Sequence, residues 1–462
     1  MRFIDRSRAP ARCVSSTAIR ATLIAATLVA FSAAHSQQSG AQVNSAVALD
    51  SLIVQAIAVS PAIRVAEARV TAARARISPA GTLPDPTLMA GIINLPISHP
   101  SFTSDGMTMK MVGVAQTIPF PGKLGARRRT VQLEADAAAV ALDTVRLAVV
   151  RNVKTAYYEL AYLDHALTIV KQNEQVLGEL ADAAQSRYAV GTGGQHDVLK
   201  ARVAATQLGE TANMLIEQRH ATLAALNAAL NRPVDTPVEN PDFPSSLTRA
   251  AVAEDPRNIR FVGNTLGAPA ADSPLPSLAQ LQALATERSP GLRVHEAMIA
   301  AQVARVQLAQ KEYKPDFDVS VQYGQRVGLP DMVTAQVSIP LRLHKRAVQD
   351  QQVAEASAEL AAMHAEHESQ LNDVHATVAR LYSEIERNRT QLALYVRAIL
   401  PQGQASVAST TASYQVGKVD LLTLMDSQTT LFSYETAYYR ALADFGAAVA
   451  QLEQVVGQEI VK

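Results

Sequence analysis

The chain has 462 residues, in which 42 Lys and Arg balance 42 Asp and Glu, and 48% of the residues are hydrophobic. A chain without basic excess lacks the charge that nucleic-acid binding needs, and this apolar fraction is too high for a disordered protein. The single cysteine excludes both a disulfide framework and a cysteine-rich metal site. Beyond the first 40 residues no apolar run is long enough to predict a transmembrane helix.

Residues 1–36 form the first predicted element, an export signal. Five arginines precede an apolar segment at 21–31, and Ala34-His35-Ser36 fits the small-residue rule for cleavage. A buried N-terminal helix is the alternative interpretation. Cleavage would leave 37 basic and 41 acidic residues and would remove Cys13. We therefore expect an exported, mildly acidic protein without disulfides.

Residues 37–232 form the first predicted structural repeat. A medium helix is followed by two strands at about 87–95 and 107–118, which are bounded by Pro, Gly and Asp as hairpin strands should be. A helix then covers 123–187, a length of roughly 100 Å at 1.5 Å per residue. Its apolar positions recur in steps of three and four, the pattern of a coiled-coil seam. They are Leu142, Val145, Val149, Val153, Ala156, Leu160, Leu163, Leu167 and Val170. A second helix returns over 195–231.

Residues 233–276 are rich in proline and are predicted to be an irregular connector between repeats. Residues 277–462 hold the second repeat, with strands at 316–325 and 333–341. A long helix is expected at 344–413 with a kink or break at Pro401, and a returning helix at 421–455. Gly191 and Gly417 follow the long helices at 123–187 and 344–413, where a left-handed C-cap is expected.

Sequence identity supports this tandem duplication. Residues 60–73 read SPAIRVAEARVTAA and residues 289–302 read SPGLRVHEAMIAAQ, with seven of fourteen positions identical. Further downstream, Tyr188-Ala189-Val190-Gly191 matches Tyr414-Gln415-Val416-Gly417. Each repeat is thus a strand pair joined to a long helical hairpin.

The strands alternate in polarity. In the third predicted strand one face would carry the apolar residues Phe317, Val319, Val321 and Tyr323. The other face would carry Asp318, Ser320, Gln322 and Gly324. This alternation fits either a soluble half-buried sheet or a membrane barrel with its apolar face in lipid. A spanning sheet must close, because lipid satisfies no edge hydrogen bonds, and four strands close only in an oligomer. The export signal and the long hairpins favour the barrel.

The chain resembles the TolC-like outer-membrane efflux proteins over essentially all of its predicted mature length. The resemblance is carried by the duplicated order of elements and by five sequence blocks. These are Pro84-Asp85-Pro86, QTIPFPGK at 116–123, LNAALN at 226–231, Leu400-Pro401-Gln402, and YQVGKVDLLTLMDSQTTLF at 414–432. The sequences of QTIPFPGK and of the last block are most similar to those of family members paired with heavy-metal pumps.

The resemblance implies a mainly α protein with a small membrane β-barrel. Three chains would combine their strands into a twelve-stranded barrel that continues as a trimeric α-barrel in the periplasm. It implies a passive conduit in the outer membrane, serving a tripartite efflux or type I secretion system. Its partners would be two further copies of the chain, outer-membrane lipid, a periplasmic adaptor (membrane fusion protein) and an inner-membrane pump of the RND class. No enzymatic activity, cofactor, metal site or nucleic-acid partner is expected.

The resemblance also places a gate at the periplasmic helix tips. Asp426 aligns with an aspartate of the constricting ring, Tyr414 with a linking tyrosine, and Asp197 with its partner. Thr423 stands in place of the second ring aspartate, and Val419 in place of the linking arginine. Candidate adaptor contacts are Arg187, Val190, Gly191, Thr192, Val416, Gly417 and Lys418. A solvated acid at a helix end is the alternative interpretation of Asp426.

Other patterns leave alternatives open. Met107, Met109 and Met111 alternate on one strand; thioethers suit soft metals, but apolar barrel positions explain them more simply. His364, Glu366, His367, Glu368 and His375 cluster on one helix without a zinc motif, as a polar surface would. A pore-less periplasmic trimeric coiled-coil scaffold is the alternative to a channel.

Overall fold

A computed structural model describes residues 49–238, 241–251 and 275–461. The predicted export signal and most of the predicted connector lie outside these residues. The elements are α1 (Leu49–Val59), α2 (Pro61–Ala75), α3 (Ile77–Ala80), β1 (Thr87–Ile93), β2 (Met109–Ile118), α4 (Lys123–Ala189), α5 (Gln195–Ala229), α6 (Ser245–Ala250), α7 (Leu278–Arg288), α8 (Pro290–Lys311), β3 (Phe317–Gln325), β4 (Met332–Ser338), α9 (Gln349–Leu394), α10 (Leu400–Gln415) and α11 (Leu421–Val456). A π-helical turn, Tyr395–Ile399, joins α9 to α10. The mainly α fold with a small sheet confirms the predicted fold class.

The four strands form one antiparallel sheet in the order β1-β2-β3-β4. The central pairing joins the two repeats, with Val114 opposite Val321 and Val112 opposite Tyr323. Directly opposed residues share a face, so the register sorts the side chains into two surfaces. One is apolar and exposed, and it carries Leu88, Ile92, Val112, Val114, Val321, Tyr323, Val333 and Val337. The other carries Ser320, Gln322, Thr334 and Gln336, together with several methionines.

The helices pack around α4, which is 67 residues long and contacts α2, α5, α8 and α11. The predicted seam is confirmed. Val149, Val153, Leu160, Leu163, Leu167 and Val170 are buried, and Leu142, Val145 and Ala156 are partly buried. Each such aliphatic side chain contributes about 1.5–3 kcal/mol by leaving water. Among the described residues no single helix has the length and hydropathy to cross a membrane, and only the bent pair Leu49–Val59 and Pro61–Ala80, at 41°, meets those criteria jointly.

The helical part joins the sheet at a buried ion-pair cluster. Lys123, the first residue of α4, is fully buried, and its Nζ lies 2.9 Å from carboxylate oxygens of both Glu312 and Asp316. Arg127 pairs with the other oxygen of Glu312 at 3.0 Å. Burial alone would raise the pKa of Glu312, but the hydrogen bonds and charges of Lys123 and Arg127 outweigh it and lower that pKa. The cluster therefore ties the start of α4 to the segment between α8 and β3.

The strand bounds differ from prediction by two or three residues at three ends, and by one residue at the starts of β3 and β4. β2 begins at Met109 rather than 107, because the Asp105 carboxylate accepts the Met107 amide at 2.8 Å and holds a turn there. β1 ends at Ile93 because Asn94 adopts a positive φ of 55°. β4 ends at Ser338, two residues before Pro340, which has no amide to pair in a ladder.

The long helix of the second repeat also differs from prediction. It begins at Gln349 rather than 344, after a run of turns. The interruption expected at Pro401 is present as a π-helical turn immediately before it, in which the Leu400 amide bonds to the Tyr395 carbonyl. The wider turn accommodates a proline whose ring would clash with the preceding turn of a regular helix. Pro401 then lies in the first turn of α10, where its missing amide costs little.

Candidate gate at the helix tips

The two helical hairpins end in the same backbone motif. Gly191 has φ of 78° and Gly417 has φ of 70°, both left-handed. The Thr192 amide bonds to the Arg187 carbonyl, and the Lys418 amide to the Ser413 carbonyl, each at 2.9 Å. These bonds span five residues and complete a Schellman cap. The prediction of left-handed caps at both glycines is confirmed.

A cavity of about 510 Å³ lies between the two tips. It is lined from the first hairpin by Ala184, Arg187, Gly191, Thr192, Gly193, Gly194 and Asp197, and from the second by Tyr414, Gly417, Lys418, Val419, Asp420 and Leu421. Buried apolar residues, among them Leu177, Ala181, Val198 and Leu421, support the tips from behind. Seven of the ten predicted gate and tip residues, Tyr414 among them, thus line one cavity.

Arg187 and Tyr414 connect the hairpins directly. The Arg187 guanidinium carbon lies 5.1 Å from the centre of the Tyr414 ring, within cation–π range. Such a contact contributes about 0.5–1 kcal/mol at an exposed site. The sequence comparison assigned Arg187 to the adaptor surface and noted that Val419 lacks a guanidinium. In the structure, the arginine beside Tyr414 comes from α4 instead.

Asp197 lies in the first turn of α5 and lines the same cavity. Its carboxylate is 3.1 Å from Nε2 of His196, a residue that the sequence reasoning missed. The His196 ring lies over Gly194, close enough that a Cβ there would be 2.5 Å from ring atoms. Asp197 and His196 thus form a pair at the tip.

Asp420 caps the start of α11. Its carboxylate accepts hydrogen bonds from the hydroxyl and the amide of Thr423. These bonds, with a smaller contribution from the charge of Lys200, lower the pKa of Asp420. Thr423 stands where the resemblance would place a second ring aspartate. Here its hydroxyl donates a hydrogen bond to the capping carboxylate of Asp420, which accounts for a threonine at this position.

Asp426 lies on α11 beyond the cavity lining. Its side chain is exposed, and it makes no hydrogen bond or ion pair with the residues that the structure describes. A free carboxylate at this position is available to a pore or to solvent. The chain alone therefore leaves both interpretations of Asp426 open.

The outer surface of the tips is apolar at two matching positions. Val190 is 74% exposed and Val416 is 68% exposed. Tyr188, Leu199 and Leu422 add exposed apolar area nearby, and the sequence reasoning missed them. They could have been found from the repeat, since each flanks a cap that the duplication marks. The two tips thus present an exposed valine at equivalent positions of the two repeats.

The other patterns weighed in the sequence are placed away from the tips. In the described ranges no group of three or more His, Cys, Asp or Glu side chains could hold a metal ion. Of the histidine-rich segment of α9, His375 bonds to the Thr286 hydroxyl at 2.8 Å, and His364, Glu366 and Glu368 are exposed. A polar surface explains this segment.

Comparison with known proteins gives the family. The family model described as Outer membrane efflux protein matches residues 52–232 and 281–458. The cobalt-zinc-cadmium resistance protein CzcC of Cupriavidus metallidurans is 24% identical over 344 residues, which are 74% of this chain and 75% of CzcC. VceC of Vibrio cholerae has the same fold at 19% identity, with a TM-score of 0.71 over 89% of this chain and 96% of VceC. CusC matches with a TM-score of 0.67 at 15% identity, over 89% and 92% of the two chains. The chain belongs to the outer membrane efflux protein family, and it is an efflux channel component rather than an enzyme.

Proposed function

We propose that three copies of this chain form a passive conduit across the outer membrane, with the helical hairpins continuing the pore into the periplasm. The observation that carries the proposal is the open sheet. Its apolar face is exposed, and β1 and β4 each have only one neighbouring strand within the described chain. Lipid cannot satisfy those edge groups, so β1 of one copy must pair with β4 of another. Closure by three copies gives twelve strands, an even number within the range of such barrels.

The tips form the proposed periplasmic gate. In a trimer, three copies of Asp426 would converge on the pore axis, where their charge favours cations and repels anions. Tyr414 and Arg187 would hold the two hairpins of one chain together, with Asp197 beside them. Opening then requires the hairpins to separate at the tip cavity, where the packing is polar and open.

Docking to a periplasmic adaptor would supply the energy for that separation. The proposed contact surface is Arg187, Val190, Gly191, Thr192, Val416, Gly417 and Lys418. Val190 and Val416 offer the apolar area, and Lys418 and Arg187 offer charge at its border. The adaptor would in turn connect the channel to an inner-membrane pump of the RND class, which selects the cargo and provides the energy.

Heavy-metal cations are the proposed cargo class. CzcC is named for cobalt, zinc and cadmium resistance, and it aligns with three quarters of this chain. A carboxylate ring at the entrance would suit cationic cargo. Deleting the gene should therefore lower resistance to these metals when the matching pump is present. An unchanged resistance profile would contradict this cargo assignment while leaving the conduit intact.

Conductance of the purified full chain in planar bilayers tests the conduit. We expect ion-conducting steps from a species whose mass is three chains. Asp426→Ala should raise the conductance and weaken block by multivalent cations, because the entrance loses three charges. Asp235→Ala removes an exposed acid far from the tips and is the matched control. A pure trimer without conductance would favour the pore-less scaffold, and equal block in the Asp426 variant would refute the ring.

A further inference from the structure

Four strand methionines lie on the polar face of the sheet, and three of them, on β2 and β4, lie around Gly324, where a lipid-facing role does not account for them. Met111 on β2 is directly opposite Gly324 on β3, and Gly324 is directly opposite Met332 on β4. Met109 is two residues before Met111 and therefore points to the same side. The apolar positions of β2, Val112 and Val114, alternate with them and lie on the opposite face.

Gly324 leaves open space between the side chains of Met109, Met111 and Met332, because it has no side chain of its own. Met111 and Met332 flank it on neighbouring strands, each about 4.8 Å away across the ladder. Met109 fills the space above the glycine, since a Cβ at Gly324 would collide with the Met109 Sδ atom. The Met109 thioether thus lies over Gly324, and Met111 and Met332 are on the strands on either side of it.

The surroundings of these thioethers are polar and open. Gln322 and Thr334 are the next residues on the same face of β3 and β4. Met332 is 37% exposed, and Met109 and Met111 are partly exposed. Methionine used only for packing is expected in contact with other apolar side chains. Ile93 lies opposite Met109, but Met111 lies between Gly91 and Gly324, which offer it no side chain to pack against. Thioethers are soft donors that select d¹⁰ monovalent cations and bind hard divalent cations weakly.

We propose that Met109, Met111 and Met332 form a thioether site for a soft monovalent cation, Cu(I) or Ag(I). Its position follows from the chain connections. Both Met109 and Met332 are the first residues of their strands, at the end of the sheet opposite the helices. In the proposed conduit this places the site on the pore wall near the outer exit, which is the only part of the inference that rests on the proposed function. There it would delay re-entry of a soft cation or pass it outward.

Silver binding tests the site directly. The purified full chain in detergent is titrated with Ag(I) in chloride-free buffer, and the coordination is measured by X-ray absorption. We expect one Ag(I) per chain with a sulfur-only first shell. The triple variant Met109→Leu, Met111→Leu, Met332→Leu should bind at least tenfold more weakly. The matched triple Met214→Leu, Met298→Leu, Met425→Leu changes three methionines of the helices and should bind as the unchanged chain does.

A second variant tests the site even if the triple Met→Leu variant does not assemble. Gly324→Ala adds one methyl group that displaces the Met109 sulfur and leaves every thioether in the chain. It should also weaken silver binding at least tenfold. Oxygen- or nitrogen-only coordination, or equal binding by the sheet variants and the helix variants, would overturn the site. Conductance recorded on the same samples separates the two proposals, since a conducting trimer without silver binding refutes the site alone.

Discussion

Replacement of Gly417 isolates the backbone cost of the tip cap. The residue has φ of 70°, and an added Cβ would meet no atom within 4 Å. Gly417→Ala therefore introduces no clash, and its whole effect comes from placing an L-residue in the left-handed region. That cost is about 1–2 kcal/mol, which corresponds to roughly a 5–30-fold change in an equilibrium.

Hydrogen exchange at the tip measures this cost. The Lys418 amide is bonded to the Ser413 carbonyl at 2.9 Å and exchanges only when the cap opens. We expect about 5–30-fold faster exchange there in Gly417→Ala, and a larger increase in Gly417→Val, whose branched Cβ resists positive φ. Gly417→Asn should remain near the unchanged chain, because asparagine tolerates this conformation.

Gly178→Ala is the matched control for the cap. Gly178 lies inside α4 with open space around its Cβ position and without a positive φ. Alanine is favoured over glycine in a helix by about 1 kcal/mol, so exchange at Lys418 should not rise. Equal exchange in Gly417→Ala, Gly417→Asn and the unchanged chain would refute the left-handed cap as a source of tip stability.

Three further outcomes are expected. Lys123→Met leaves Asp316 without its cation and leaves Glu312 paired with Arg127 alone, which should cost about 3 kcal/mol and lower the melting temperature. An unchanged melting temperature would show that the Lys123 pairs contribute nothing. Because both carboxyl pKa values are lowered in the folded chain, their stabilisation is present above the ordinary carboxyl pKa and is lost as pH falls through the lowered values. The difference between Lys123→Met and the unchanged chain should therefore shrink below about pH 4. Tyr414→Phe keeps the ring beneath Arg187 and should leave amide hydrogen exchange at the tips unchanged. Tyr414→Ala removes the ring and should speed that exchange by about two- to fivefold. A large effect of Tyr414→Phe would assign the contact between the hairpins to the hydroxyl instead.

Local sequence rules predicted the features that depend on a few neighbouring residues. The caps at Gly191 and Gly417, the seam of α4 and the alternation of β3 all follow from spacing along one element. The position of Arg187 over Tyr414 could not be predicted, because it depends on how two hairpins more than 200 residues apart are packed. For the same reason the sequence favoured packing for Met107, Met109 and Met111 and did not single out Met332. Only the register across β2, β3 and β4 shows which face they share with Gly324.

Pro401 shows a second kind of limit. A proline after a long helical stretch predicts an interruption, and the interruption is present. Its form, the π-helical turn Tyr395–Ile399, depends on whether the neighbouring helices can accept a wider turn. Tyr395 and Val396 are buried in the main core, so the wide turn is fixed by packing. The proline in the sequence predicts where the helix is interrupted, and tertiary contacts determine the geometry of the interruption.

The open edges of the sheet have a genetic consequence. If β1 of each chain pairs with β4 of the next, a chain with a damaged edge strand does harm beyond its own loss, because it occupies a place in a ring with intact copies. With equal amounts of intact and damaged chains mixing at random, only about one trimer in eight would contain intact chains alone. Edge-strand lesions should therefore be dominant over the normal allele. Lesions that prevent export or early folding should be recessive, since those chains never reach the ring.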